Sequence, residues 1–383
     1  MTSSLALETS PALPRGLSHL AARTGLRGRL YVAPAGIVSG RTAAAAVASG
    51  QAWGLAGGAL SFSACSVLLR EDDRIIEAAA PFGDLLDWSE SEGPEVARHV
   101  GDLLARTGRA RPAFAGLDMA RPRVMGIVNV TPDSFSDGGR YFDPGIAIGH
   151  GRTLLGAGAD ILDVGGESTR PGSDPVDPDE EIRRVVPVIR ALAEQGAVVS
   201  VDTRHARVMG AAVEAGAAII NDISALEGDP DAMGVAAASG AAIVLMHMQG
   251  DPKTMQREPQ YGFAPLDVYD ALAARVDACL GAGIPAARLC IDPGIGFGKT
   301  VEHNLQILAR LSLFHGLGLP VLLGVSRKTF IGRLAGDAPP SERLAGSLSA
   351  ALVGLDQGVQ ILRVHDVRET AQAVAVWRGM RSV

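Results

Sequence analysis

Eight short apolar runs rich in β-branched residues recur between residues 124 and 364. They span 124–130, 161–164, 198–202, 218–223, 242–246, 289–292, 320–325 and 360–364. Their apolar residues are continuous rather than alternating, which suits strands buried on both faces of a parallel sheet. Each run leads through a polar or glycine-rich turn into a segment with helical spacing. Those segments lie at 145–158, 179–195, 205–215, 230–239, 266–283, 301–313, 341–357 and 368–378. Eight strand–helix units predict an α/β chain built on a (β/α)8 TIM barrel. A doubly wound open sheet would carry a glycine fingerprint after its first strand, and none follows residue 130.

A barrel of this kind needs about 250 residues, so roughly a third of the 383-residue chain is left over. The surplus falls at the front. Residues 1–15 are rich in Ser, Thr and Pro and lack periodicity, which predicts a disordered tail over 1–27. Residues 28–121 alternate short apolar runs (30–32, 66–69, 74–78) with Ala/Gly stretches. Residues 94–107 place Val96, Val100, Leu103 and Leu104 on one helical face. This predicts a small N-terminal α/β extension, of unassigned role, ahead of a barrel over 122–383.

Composition removes several function classes. The net charge is −7 and aromatics make up 4% of the chain. A nucleic-acid binder needs a basic footprint or stacking platforms, so none is expected. No apolar run reaches the roughly 18 residues of a membrane span, and the N-terminus has no secretory pattern. Cys65, Cys279 and Cys290 form no C-x-x-C pair. They predict buried thiols in a reducing compartment rather than a disulfide or zinc framework. The cytoplasm is the expected location. Of the 35 basic residues only Lys253, Lys299 and Lys328 are lysines, so each is less readily explained as generic surface charge.

The strand ends carry more polar residues than plain turns require. In order they include Asn129, Thr169-Arg170, Asp202-Thr203-Arg204, Asn221-Asp222, His247-Met248-Gln249, Asp292, Ser326-Arg327-Lys328 and Arg363-Val364-His365. In a barrel these ends converge on one rim, where active sites lie. Single positions such as Asp202, Asn221 or Ser326 fit helix caps or turns, but eight strand ends together do not. Asp202, Asn221, Asp292 and Lys328 suit a flat heterocycle with amino and imino donors. Arg170, Arg363 and His365, with Asn129 and Thr169 nearby, suit an anion such as phosphate on the opposite part of the rim. Asn129 also offers an oxygen to Mg²⁺, an ion that takes few protein ligands beside substrate phosphates.

Some tempting features carry less. Gly298-Lys299-Thr300 lacks the first P-loop glycine, because position 293 is proline. Gly294, Gly296 and Gly298 instead predict a tight loop whose backbone approaches a ligand closely. The acidic run 177–181 reads as a solvated helix N-terminus. His19, His99, His150, His205, His303 and His315 show no metal-ligand spacing.

Residues 125–139, MGIVNVTPDSFSDGG, and 165–172, GGESTRPG, resemble the first two signatures of the dihydropteroate synthase family. The family pattern continues through Val201-Asp202-Thr203, Asn221-Asp222, His247–Gly250, Asp292–Lys299, Ser326-Arg327-Lys328 and Arg363–Asp366. The resemblance covers about 122–383. It implies condensation of a 7,8-dihydropterin methyl diphosphate with 4-aminobenzoate, releasing pyrophosphate and 7,8-dihydropteroate, with Mg²⁺ as cofactor. It implies a pterin pocket of Asp202, Asn221, Met248, Asp292, Phe297 and Lys328. The diphosphate would meet Asn129, Thr169, Arg170, Arg363 and His365, with Asn129 on the metal. The aminobenzoate would meet Phe135, Thr169, Pro171, Ser326 and Lys328, under loops 131–140 and 168–176. Catalysis would rest on Asp202, Lys328, Arg363 and His365. The resemblance also implies a homodimer built from barrel helices, and competition by 4-aminobenzoate mimics such as sulfonamides. Two rivals remain: a methyltetrahydrofolate–corrinoid methyltransferase, which has no use for a diphosphate site, and a non-catalytic pterin-binding paralogue.

Overall fold

The computed structural model describes residues 5–130, 143–167, 176–251 and 254–382. Two sheets organise them. The first contains β1 (Ala6–Ser10), β2 (Leu30–Ser39), β3 (Trp53–Gly54), β4 (Leu60–Arg70) and β5 (Arg74–Pro81) in the order β1-β5-β4-β2, with β3 also on β4. The β2–β4 and β4–β5 pairs are antiparallel and β1–β5 is parallel. Helices α1 (Leu17–Thr24), α2 (Gly40–Ala48), α3 (Phe82–Ser91) and α4 (Pro94–Gly108) accompany this sheet. The α4 face bearing Val96, Val100, Leu103 and Leu104 is buried, as its spacing predicts.

The expected disordered tail is corrected here. Residues 6–10 form a strand and 17–24 a helix. β1 is held by its backbone ladder to β5, with mostly exposed side chains, so it lacks the apolar signature that sequence periodicity detects. Leu17 is buried, its N–H donates to Glu92 Oε2 at 2.8 Å, and Trp88 Nε1 donates to the Pro14 carbonyl at 2.8 Å.

The second sheet is the barrel. Its strands are β6 (Arg123–Asn129), β7 (Ile161–Gly165), β8 (Val199–Asp202), β9 (Ile219–Asp222), β10 (Ala242–Met246), β11 (Leu289–Asp292), β12 (Leu322–Leu323) and β13 (Ile361–Val364). All its ladder pairs are parallel, in the order β11-β10-β9-β8-β7-β6-β13-β12. A bridge between Ile291 and Val321 closes the ring. The intervening helices are α5 (Pro144–Gly156), α6 (Pro178–Ala193), α7 (Ala206–Glu214), α8 (Ala232–Ser239), α9 (Ala264–Gly281) and α10 (Val301–Leu308). They are followed by α11 (Thr329–Leu334), α12 (Leu344–Asp356) and α13 (Val367–Arg381). The segment expected as helix over 301–313 stops at Leu308 and resumes as a 3₁₀ turn, Leu311–Leu317. The short α11 was not expected from periodicity.

Strand side chains alternate between the two faces, so one phase of each strand fills the lumen. Met125, Ile161, Ile219, Val244, Cys290, Leu322 and Ile361 form a closed apolar cluster there. Phe114 and Met119, which precede the barrel, are fully or nearly fully buried in the same cluster. Residues just before 122 therefore supply part of the barrel's floor. Two positions further along the same phase, the lumen turns polar: Asp163 follows Ile161, Asn221 follows Ile219, Asp292 follows Cys290 and Arg363 follows Ile361. All three cysteines are buried and free.

The extension is fastened to the barrel's flank. Arg70 reaches Asp267 (2.7 Å) and Asp270 (2.6 Å) on α9, and the Tyr31 hydroxyl donates to Asp270 at 2.7 Å. Arg310 pairs with Glu77 at 2.7 Å, and the Ser312 hydroxyl donates to the Pro34 carbonyl at 2.8 Å. These pairs flank an apolar core that runs continuously from extension to barrel. Sequence spacing gives no access to such contacts, because they join residues about 200 or more positions apart.

Candidate active site

The polar layer of the lumen is organised by one guanidinium. Arg363, from β13, donates through Nε to Asp163 Oδ2 at 2.6 Å and through Nη2 to Asp202 Oδ2 at 2.6 Å. The Asn221 amide also donates to Asp163 Oδ2, at 3.1 Å. Burial disfavours the Arg363 cation, but Asp163 and Asp202 outweigh it and hold its pKa above the ordinary value. Burial raises the Asp202 carboxyl, with Asp163 adding to the shift and Arg363 opposing it. The sequence reading set Arg363 on the rim opposite Asp202. The lumen is narrow enough for its side chain to span, so the heterocycle and anion sets share this ion pair.

Asp163 was missed by the sequence reading. It is fully buried and its Oδ1 has no hydrogen-bond partner among the described residues. The signal was available: it is a carboxylate inside an apolar strand, in phase with the lumen.

Asp292 ends β11, where its Oδ1 accepts from the Gly294 N–H at 2.7 Å. Burial raises its pKa, and Lys328 and Arg363 oppose the rise. Lys328 precedes α11 and places Nζ 4.1 Å from the centre of the Phe297 ring. Burial pushes Lys328 down to about 8, helped by Arg363 and opposed by Asp292 and Asp202. Met248 and Phe297 are both half-buried just beyond strand ends. Asp222, next to Asn221, has a different job: its carboxylate accepts from the Ser224 and Leu226 N–H groups and closes the turn.

Ser326 is buried, and its Oγ lies 3.0 Å from His365 Nδ1. Burial pushes His365 down to about 4, with Arg363 and Arg327 adding to the effect. It is thus a neutral imidazole at pH 7. Arg327 is taken up by Asp366, with Nε to Oδ2 at 2.9 Å. Lys299 staples the loop after β11 to the loop after β10. Its Nζ donates to the carbonyls of Phe297 (2.9 Å) and His247 (3.2 Å). Burial pushes it down to about 7.

The glycines of that loop need a revised reason. Gly294 and Gly298 have φ of +68° and +59°. A Cβ at Gly294 would lie 1.9 Å from the His247 carbonyl oxygen, and one at Gly298 2.4 Å from that of Gln249. The close approach at these two positions is to the neighbouring loop. At Gly296 a Cβ would instead meet the Lys328 side chain at 3.1 Å.

Asn129 is half-buried at the carboxyl end of β6. Phe135, Thr169, Arg170 and Pro171 lie outside the described residues, as does Lys253. The acidic run divides. Asp177 caps α6 by accepting from the Asp179 N–H at 2.9 Å, whereas Glu181, expected in solvent, is fully buried. Away from the rim, a cavity of about 520 Å³ opens between the extension, the barrel's floor and α13, lined in part by Leu55, Met119, Arg121, Leu355 and Trp377.

Residues 125–365 match the family model described as pterin binding enzyme. The chain is 49% identical over 261 residues to the dihydropteroate synthase of Escherichia coli strain K12, covering 68% of this chain and 92% of that relative. It is also similar to the Xanthomonas albilineans dihydropteroate synthase solved with 4-aminobenzoic acid. That match has a TM-score of 0.67 and 48% identity, over 71% of this chain and 98% of the other. The same enzyme in complex with 7,8-dihydropteroate matches with a TM-score of 0.64 and 46% identity, over 70% and 96% of the two chains.

Proposed function

The chain belongs to the pterin-binding dihydropteroate synthases, and from that premise we propose how its rim performs the reaction. The enzyme is a transferase that joins a 7,8-dihydropterin methyl diphosphate to 4-aminobenzoate, giving 7,8-dihydropteroate and pyrophosphate. The observation that carries the residue roles is the convergence of Asp163, Asp202, Asn221, Asp292 and Arg363 on the carboxyl end of the barrel lumen, beside Lys328.

Asn221 and Asp292 meet the amino and imino edge of the pterin, and Lys328 meets its ring carbonyl or ring nitrogen. Met248 and Phe297 wall its faces. The bond between the methylene carbon and the diphosphate oxygen breaks, and its electron pair leaves with the diphosphate. Asp202 stabilises the positive charge that develops on the pterin methylene. The lone pair of the 4-aminobenzoate nitrogen then forms the new C–N bond, and the nitrogen releases a proton to solvent. Arg363, held by Asp163 and Asp202, meets the leaving oxyanions together with Thr169 and Arg170. His365 serves them as a hydrogen-bond donor. Phe135, Thr169, Pro171, Ser326 and Lys328 bound the aminobenzoate, and loops 131–140 and 168–176 exclude water from the cation.

Asn129 offers a single neutral oxygen beside a diphosphate site. That donor set fits Mg²⁺, which takes most of its ligands from phosphate and water. Mg²⁺ bound with the substrate would offset charge on the departing phosphate oxygens.

The unit spanning 122–383 is catalytic, and the segment 28–121 braces it. Leu334, Val353, Val376 and Met380 are exposed on α11, α12 and α13, which supports a homodimer formed through barrel helices. Among the described residues no helix is long and apolar enough to cross a membrane, and a cytoplasmic location is consistent with that. The test of the roles is Asp202→Asn and Lys328→Ala. Each should abolish product formation with the fold retained by circular dichroism. Near-wild-type turnover in either would refute its assignment.

A further inference from the structure

A second cluster of ligating side chains lies behind the rim. Glu167 follows β7, Glu181 belongs to the start of α6, and His205 immediately precedes α7. One ligand atom from each of the three lies within 4.8 Å of the others. Glu181 is fully buried. Neither of its carboxylate oxygens makes a hydrogen bond of sound geometry among the described residues, although the Thr203 side chain lies beside it, and His205 Nε2 makes none either. Burying polar atoms without partners is costly, so the orphaned atoms of Glu181 and His205, beside the Glu167 carboxylate, call for an occupant.

The geometry narrows that occupant. Glu167 Oε2 faces His205 Nε2 at 3.5 Å. The edge of a tetrahedron with metal–ligand bonds of 2.0–2.1 Å is about 3.4 Å. Arg204 bonds both oxygens of Glu167, with Nη2 to Oε1 at 3.1 Å and Nε to Oε2 at 3.4 Å. That is the kind of supporting contact that orients a ligating carboxylate. One imidazole nitrogen with two carboxylates suits a borderline transition-metal dication. Magnesium and calcium prefer oxygen donors alone.

We propose that Glu167, Glu181 and His205 form a site for a zinc-class transition-metal dication, with water in the remaining position. It is separate from the magnesium that accompanies the diphosphate at Asn129, and it does not depend on the catalytic roles assigned above. Its ligands come from the end of β7 and the starts of α6 and α7. The residue two before Glu167 is Gly165, which pairs in register with Asp202. A bound cation would therefore clamp three elements around the strand end that presents the catalytic carboxylate.

The test uses the full chain, stripped with chelator and free of both substrates. Titration with Co²⁺ should show one equivalent bound, with a visible d–d absorption that Zn²⁺ displaces. Zn²⁺ should also raise Tm. Glu181→Gln and His205→Ala should each lose the absorption and weaken Co²⁺ binding at least tenfold, whereas Asn129→Ala should keep both. Should Glu181→Gln fail to fold, the half-buried His205 carries the test. Absence of stoichiometric binding, or binding that survives in the folded variants, would overturn the proposal.

Discussion

Arg363 Nη2 lies 2.6 Å from Asp202 Oδ2 across the top of the barrel lumen. This ion pair ties the strand that offers the pterin its carboxylate to the strand that offers the diphosphate its guanidinium. Asp163, on the strand between β6 and β8, holds the other arm of the same guanidinium at 2.6 Å. The three strands bearing this triad are thereby locked in one arrangement.

Removing one member of such a buried set leaves charges without partners, which typically costs about 3–5 kcal/mol. Arg363→Ala should therefore lower the urea midpoint markedly and reduce turnover at least a hundredfold. Arg363→Lys keeps the charge but not the two-armed fork, so it should fold better than the alanine variant and stay catalytically poor. Asp163→Asn should lower kcat more than it changes KM, because Asp163 positions Arg363 and Asn221 and is assigned no contact with substrate.

Lys328 sets an alkaline limit. Its pKa is pushed down to about 8, so the cation that meets the pterin is lost as pH rises through about 8, and kcat/KM should fall there. Stability should move the other way. Between about 8 and the ordinary lysine value of about 10.4, the unfolded chain binds the proton that the folded chain has released. The free energy of unfolding therefore rises with pH across that window. Lys299, pushed down to about 7, contributes with the same sign from a lower pH. Lys328→Arg should remove the alkaline limb of the rate profile, and Lys328→Met should flatten its part of the stability slope. Rate profiles and urea midpoints from pH 6 to 10 check both.

Gly294 tests the packing of two loops. A methyl group there would stand 1.9 Å from the His247 carbonyl oxygen, on a backbone at φ +68°. Gly294→Ala should lose several kcal/mol of stability through clash and strain. Pterin binding should weaken with it, because the same loop carries Phe297 against Lys328. Thermal melts and pterin titration give the two readouts.

Phe114 fills the barrel's floor from outside the family's matched region. Phe114→Ala should cost about 3–5 kcal/mol by leaving a cavity, with kcat little changed, since the rim lies at the opposite end of the lumen. A deletion starting at Met119 should be insoluble or strongly destabilised. Loss of the extension would also bare the apolar face that continues into the barrel core. Expression and melting of the two forms decide the point.

The barrel was legible because each strand is a continuous apolar run closed by polar residues, and Asp202, Asn221, Asp292 and Lys328 were legible at those closures. Asp163 could have been found by counting back two positions from Gly165, but it hides inside an apolar run. β1 was illegible because its pairing is made by backbone groups, which leave no side-chain pattern. Glu181 read as solvated because a helix start favours acids. Its burial comes from Gly166 and Thr203, which lie on other elements. The partner of Arg363 was illegible because which lumen residues touch depends on strand tilt and side-chain reach, not on order in the chain.

The most direct test of the central claim is pyrophosphate release from the dihydropterin methyl diphosphate, followed with and without 4-aminobenzoate. Release should require 4-aminobenzoate, match 7,8-dihydropteroate formed mole for mole, and fall to background in Asp202→Asn. Release that ignores 4-aminobenzoate, or that persists in Asp202→Asn, would contradict it.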